Sequence, residues 1–256
     1  MLFCANVPGM NNIDPDILEL AKKDYGDNCE VVRRTEWSYT FQCGPQSYSS
    51  ISRFLAERGF EVKASEIRHR WPAMSPRERM DFASNWWSKR TWNDDDTEIL
   101  EIIMADGDDD VWQCCTQAFL KHPDRGRAVN FLVDRVSLYR LKHEPLNYFQ
   151  VLGMSKDRRA EAAILPYYER YRKAMDAEAI IGVPGDVFRG PIPYFPYFVA
   201  AGALFKITGS PEYEQEIRKF FGHANEQVRY WAEHALEIEG PTTAKRNAES
   251  RKKRRV

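Results

Sequence analysis

The chain has 256 residues, 43% of them apolar and 13% aromatic, enough to bury a sizeable core and too apolar for a disordered protein. It has no run of about 18 apolar residues that would span a membrane, and its opening, MLFCANVPGMNNIDPD, lacks the basic region of a secretory signal, so a cytoplasmic protein is expected. The net charge of −1 hides a division: without the seven basic residues and one acid of the last sixteen, positions 1–240 hold 30 basic and 37 acidic residues, a net −7. An acidic body is the wrong counterpart for nucleic acid, which calls for clustered positive charge. The basic tail, 241–256, is read as disordered, and its Arg251–Arg255 run reads either as a nuclear-localisation signal, as an RNA-binding arm, or as a plain solvated end.

Five cysteines, Cys4, Cys29, Cys43, Cys114 and Cys115, form no Cys-x-x-Cys and meet no histidine pair at zinc spacing, which points to free thiols and no metal. Cys114 and Cys115 fall on the apolar side of a helical pattern and are expected to pack as small core residues.

In chain order, Pro15–Asp24 reads as a short helix on Ile17, Leu18 and Ala21. Cys29–Phe41, rich in Val, Thr, Trp, Tyr and Phe, is the one stretch with strand character and reads as a small hairpin or an extended loop. From Gln42 to Arg70 the pattern predicts an amphipathic helix ending at Gly59 and another after Ser65. Cys43-Gly44-Pro45 at that helix start resembles the nucleophile region of papain-like and C39-type cysteine peptidases, where a helix N-terminus stabilises the thiolate. The resemblance implies a cysteine hydrolase using Cys43. It stops there, because His69, His122, His143, His223 and His234 all fall in helical or turn patterns and none is the strand-borne base.

Ser75 with Glu78 three residues on, and Pro76 between, predicts a capping box and a helix to Thr91. Met80, Ala83, Trp87 and Phe82 are expected to face inward. Trp86, Trp87 and Trp92 are more than one stripe can bury, so at least one is expected to be partly exposed; an exposed Trp beside Arg90 has the composition of a binding hot spot, and Trp buried between repeats is the commoner outcome. Asp94-Asp95-Asp96 and Asp106–Asp110 lack the order of a calcium loop; the second reads most simply as an inter-helix turn and helix N-cap, and Asp94, Asp95, Asp108 and Asp109 are also candidates for attracting a basic partner. Further on, Arg125–Tyr139 is a helix on Val129, Leu132, Val133 and Val136, and Lys156–Met175 is expected to break or kink at Pro166. The proline-rich stretch 181–196 is a loop or lid. Beside it, Tyr194 and Phe195 read either as an exposed docking surface or as a plug over the core, ahead of a small-residue helix Val199–Ile207.

Ser210–Glu239 reads as two helices joined by a turn. Ser210 caps the first, Tyr213, Ile217, Phe220 and Phe221 form its stripe, and Gly222 is its expected stop. Asn225 caps the second, with the stripe Val228, Trp231, Ala232, Ala235 and Leu236. A step of 117 positions back lands on a second copy. There Leu100, Ile103 and Met104 replace Ile217, Phe220 and Phe221, Asp108 replaces Asn225, and Val111, Cys115, Ala118 and Phe119 replace Val228, Ala232, Ala235 and Leu236. A third set lies between them: Phe149 and Leu152, then Asp157, Ala160 and Ile164. Asn225, Val228, Arg229, Ala232, Ala235 and Leu236 match Asp/Asn-x-x-Val-Arg-x-x-Ala-x-x-Ala-Leu, and the pattern resembles a HEAT-like repeat over about 94–239; Trp112 and Phe119 depart from it. The copies are 49 and 68 residues apart, uneven against the family period of about 40.

The resemblance implies an all-α fold, an irregular right-handed stack of antiparallel helix pairs with a small β-hairpin near 29–41, as one domain over 1–240. Such scaffolds bind partners without catalysis. Here the expected role is an immunity or inhibitor protein that neutralises a basic toxin or effector through Trp86, Trp87, Arg90, Trp92, Asp94, Asp95, Asp108, Asp109, Tyr194 and Phe195, with no cofactor and no membrane contact. A HEAT-like DNA-repair glycosylase using Trp92, Asp96 and Arg90 is an alternative, and the Cys43 hydrolase is another.

Overall fold

The computed structural model describes residues 15–43, 48–57, 59–89, 91–137, 145–176 and 194–237. These are mostly helical, with one small three-stranded antiparallel sheet. They group into two compact units, residues 1–115 and 116–256, and the boundary falls inside the stretch that the sequence pattern groups as repeats.

The first unit begins with α1 (Pro15–Tyr25), which closes at Gly26 (φ +101°), a left-handed position that glycine takes without strain. The chain then turns into β1 (Cys29–Arg34), β2 (Ser38–Cys43) and β3 (Tyr48–Ser52), paired in the order β1-β2-β3. Thr35 makes the first turn: its hydroxyl accepts the N–H of Trp37 at 3.2 Å and of Ser38 at 2.9 Å. Ile17 and Ala21 of α1 lie on one sheet face with Cys29, Tyr39, Phe41 and Ile51 in a small apolar core. The expected hairpin is therefore a three-stranded meander. The helix expected after Cys43 is replaced by β3 and by a single turn, α2 (Arg53–Ala56), because Ile51 completes the face opposite Tyr39.

Helices fill the rest of the unit: α3 (Ala64–Arg70), α4 (Pro76–Trp86), α5 (Asp94–Ala105) and α6 (Asp109–Cys114). The capping box at Ser75 and Glu78 forms as expected, and Asn93 with Asp96 forms a second at the start of α5. The inward stripe of α4 is rotated from the expected one. Phe82, Ala83 and Trp86 are buried, whereas Met80 and Trp87 are half-buried. Phe82 lies among the rings of Trp37, Phe54, Trp71 and Trp86, with centroids 4.8, 6.2, 6.0 and 6.0 Å away, and this cluster sets the rotation.

The second unit holds a 3-10 segment (Thr116–Lys121), α7 (Arg125–Ser137), α8 (Leu146–Ser155), α9 (Glu161–Asp176), α10 (Tyr194–Thr208), α11 (Pro211–Arg218) and α12 (Glu226–Ala235). At its centre is α10, packed against α8, α9, α11 and α12. Its sequence, YFPYFVAAGALFKIT, is apolar all round up to Lys206 in its last turn, and a helix with so little wet face belongs inside. It begins at Tyr194, five residues ahead of the expected start, with Pro196 in the first turn, where a missing N–H costs nothing. Small residues let its neighbours come close. A Cβ on Gly153 of α8 would lie 2.9 Å from the Ala203 Cα, and a Cβ on Gly202 would lie 2.7 Å from the Ala235 carbonyl oxygen.

Three further expectations change. α9 runs on through Pro166, held by the buried Tyr167, Tyr168 and Tyr171 on its face. α11 ends at Arg218, short of Gly222, which is outside the left-handed region; Phe220 and Phe221 sit in the turn that follows. The second helix of the earlier copy stops at Cys114, and Ala118 and Phe119 are buried from a 3-10 segment instead. The caps Ser210, Asn225, Asp108 and Asp157 all accept the backbone N–H two residues on, as their pattern predicts.

Gly202→Val should cost about 1–3 kcal/mol in urea denaturation, the range for forced overpacking against backbone. Gly222→Ala, whose Cβ meets nothing within 4 Å, should stay within about 0.5 kcal/mol of the parent.

Candidate functional site

A groove of about 190 Å³ opens in the second unit between α8, α10 and α12. Its floor is Gly202, Ala203 and Ala235, the residues whose small size brings the helices together. Its walls are large: Phe195 and Phe198 of α10, Trp231 of α12 and Met154 of α8. The Phe195 and Trp231 rings face each other at 5.4 Å and 52°. Met154 is 50% exposed, and a flexible thioether at the rim of an apolar slot adapts to more than one shape. One end is closed by the ion pair of Lys206 Nζ with Glu237 Oε1 at 2.6 Å. The Lys206 hydrogen bond holds the Glu237 carboxyl below the ordinary range. His234 stands on the same wall, stacked on Tyr230 at 6.0 Å.

Of the two aromatic residues singled out at the start of α10, Phe195 lines this groove and Tyr194 does not. Tyr194 is packed on Phe198 and Phe220, with its hydroxyl 3.3 Å from His223 Nε2, and so plugs the core. Behind it, burial pushes the Tyr197 hydroxyl pKa up, which keeps that phenol neutral.

The tryptophans and aspartates of the first unit are engaged within the fold. Trp86 is fully buried and cannot meet a partner: its ring stacks with Phe82 and its indole N–H donates to Asp96 Oδ1 at 3.0 Å. Asp96 also accepts from Lys89 Nζ, and both residues are buried, which removes Asp96 from any role around a flipped base. Trp92 is half-buried, tilted against Trp86 at 5.1 Å, with its N–H on Thr97 Oγ1 at 3.3 Å. Trp87 is half-buried, and Arg90 lies outside the described residues. Asp95 accepts from the Ala64 N–H at 2.9 Å and Lys63 Nζ at 3.0 Å, bonds that hold its carboxyl below the ordinary range. Asp108 caps α6, and Asp109 accepts from Gln113 Nε2 at 3.2 Å. Asp94 remains exposed in the first turn of α5.

Cys43 stands at the end of β2 and not at a helix start. Its sulfur meets the Cys29 sulfur at 2.7 Å. The helix start on which the peptidase resemblance of Cys43 rests is therefore not where the structure places this residue. Among the described residues no group of three or more His, Cys, Asp or Glu is placed to hold a metal ion, and no helix is long and apolar enough to cross a membrane.

The comparisons do not alter this reading: no protein-family model matches the chain, and no curated protein or solved structure matches it either.

The buried Lys89–Asp96 pair yields a test. Lys89→Met should leave an uncompensated carboxylate and cost about 3–5 kcal/mol in chemical denaturation. Lys89→Met with Asp96→Asn removes both charges and should recover part of that loss, read from the same denaturation midpoints.

Proposed function

We propose that the chain is a protein-binding scaffold without chemistry of its own, and that it neutralises a basic protein in the manner of an immunity or inhibitor protein. The observation that carries the reading is the groove of the second unit. Phe195, Trp231 and the exposed Met154 surround a slot of the size of one or two side chains, the composition of an interface hot spot. The partner's sign comes from charge: positions 1–240 carry a net −7, which steers a basic protein toward this chain and repels an acidic one.

The helix pair α11–α12, packed on α10, is the unit we read as HEAT-like. Under that reading, pairs of this type stack into an irregular right-handed series and present one acidic side to the partner, in the cytoplasm. Asp94 and Phe195 are the two residues from the sequence-derived set that fit the reading best. Neither glycosylase nor hydrolase chemistry is favoured, since Asp96 is enclosed and Cys43 is strand-borne.

The test is affinity capture followed by titration of the recovered partner. Trp231→Ala, and separately Met154→Lys, should each weaken binding at least about tenfold, the weight of a hot-spot side chain. Added salt should weaken it further by slowing association. An acidic partner, or unchanged affinity in both variants, would overturn the proposal.

A further inference from the structure

The first unit holds two thiols in a relation that the binding function does not use. Cys29 and Cys43 are directly opposite partners on adjacent antiparallel strands. Such partners have Cα atoms about 4.5–5.5 Å apart, inside the window of about 4.4–6.8 Å that a disulfide spans. Their sulfurs already approach to 2.7 Å, so bond formation needs no movement of the strands. The two positions differ in access. Cys29 is 7% exposed in the core under α1, its sulfur also 4.0 Å from the Ala21 carbonyl oxygen, whereas Cys43 is half-buried at the margin of the sheet. Burial, then the contact with Cys43, pushes the Cys29 thiol up to about 11. A thiol in that state stays protonated at neutral pH and is a poor first attacker.

We propose that Cys29 and Cys43 form a reversible redox site, an internal dithiol that a small disulfide oxidant of the glutathione class converts to a cross-strand disulfide, with Cys43 as the entry sulfur. The Cys43 thiol gives up its proton and attacks one sulfur of glutathione disulfide. That S–S bond breaks, one glutathione leaves with the proton, and a mixed disulfide remains on Cys43. Cys29 then loses its proton and attacks the Cys43 sulfur, releasing the second glutathione. The two cysteines give up two electrons and two protons, and glutathione disulfide is reduced to two thiols. The product ties β1 to β2 at the end of the ladder away from the Thr35 turn, across a sequence separation of 14 residues.

The experiment equilibrates the full chain in graded glutathione and glutathione disulfide buffers, quenches with acid, alkylates the remaining thiols in denaturant and maps the peptides by mass spectrometry. A Cys29–Cys43 linkage should appear as the buffer becomes oxidising and vanish on return to reducing buffer, while Cys114 and Cys115 stay alkylatable. The linked form should melt several degrees higher than the reduced form. In Cys29→Ser the mixed disulfide should accumulate on Cys43, and in Cys43→Ser, modification at Cys29 should slow at least about tenfold, following its burial. The wild-type map stands even if the Cys29 variant fails to fold. A wild-type protein that holds only a glutathione adduct on Cys43, keeps Cys29 reduced throughout, or links either cysteine to another, would overturn the proposal.

Discussion

Backbone proximity around α10 is the constraint on which the second unit rests. A helix apolar on nearly every face has to be covered by neighbours, and four helices pack on this one. They reach it because the contact points carry no bulk: Gly153 against Ala203, and Gly202 against Ala235. Dispersion between closely packed backbones is small per atom and large in sum. The same smallness creates the groove. Where Gly202, Ala203 and Ala235 leave room, the larger Phe195, Trp231 and Met154 stand around the space and do not fill it.

The first unit uses a different device. Its helical part is built on rings packed round Phe82, and the polar tips of those rings are answered from inside: Trp86 by Asp96, and Trp71 by Asp106, the latter at 2.7 Å. Each of those aspartates also faces a cation, Lys89 for one and Arg79 for the other. Carboxylates that look like a recruiting surface in the sequence are thus the partners of buried indoles and of helix starts. The acidic clusters serve the fold before they serve any visitor.

Local signals were legible in the sequence and tertiary ones were not. Ser75, Asp108, Asp157, Ser210 and Asn225 could be read as caps because a cap depends only on its own next few residues. The stripe of α7 was legible for the same reason. Strand β3 was not, since YSSIS has no run of branched or aromatic residues and is a strand only because Ile51 meets Tyr39. The choice of Trp86 over Trp87 was hidden too, being set by the rings across from α4. The groove had no sequence signature at all. Met154, Phe195 and Trp231 come from three helices; Phe195 stood out only as an aromatic residue beside proline, and Trp231 only as a member of an inward stripe, where the structure leaves it half-buried.

The small sheet has a bearing on how the chain is made. Every member of the core beneath α1 lies between Ile17 and Ala56, so its contacts link residues near one another in sequence. Short-range contacts close quickly, and this small core is made without a side chain from α3–α6. On the ribosome it emerges ahead of the helices that follow, and it has a ready nucleus while Phe82 and the rest of the aromatic cluster are still inside the exit tunnel. The meander thus forms before those helices, which dock onto a surface that is already in place.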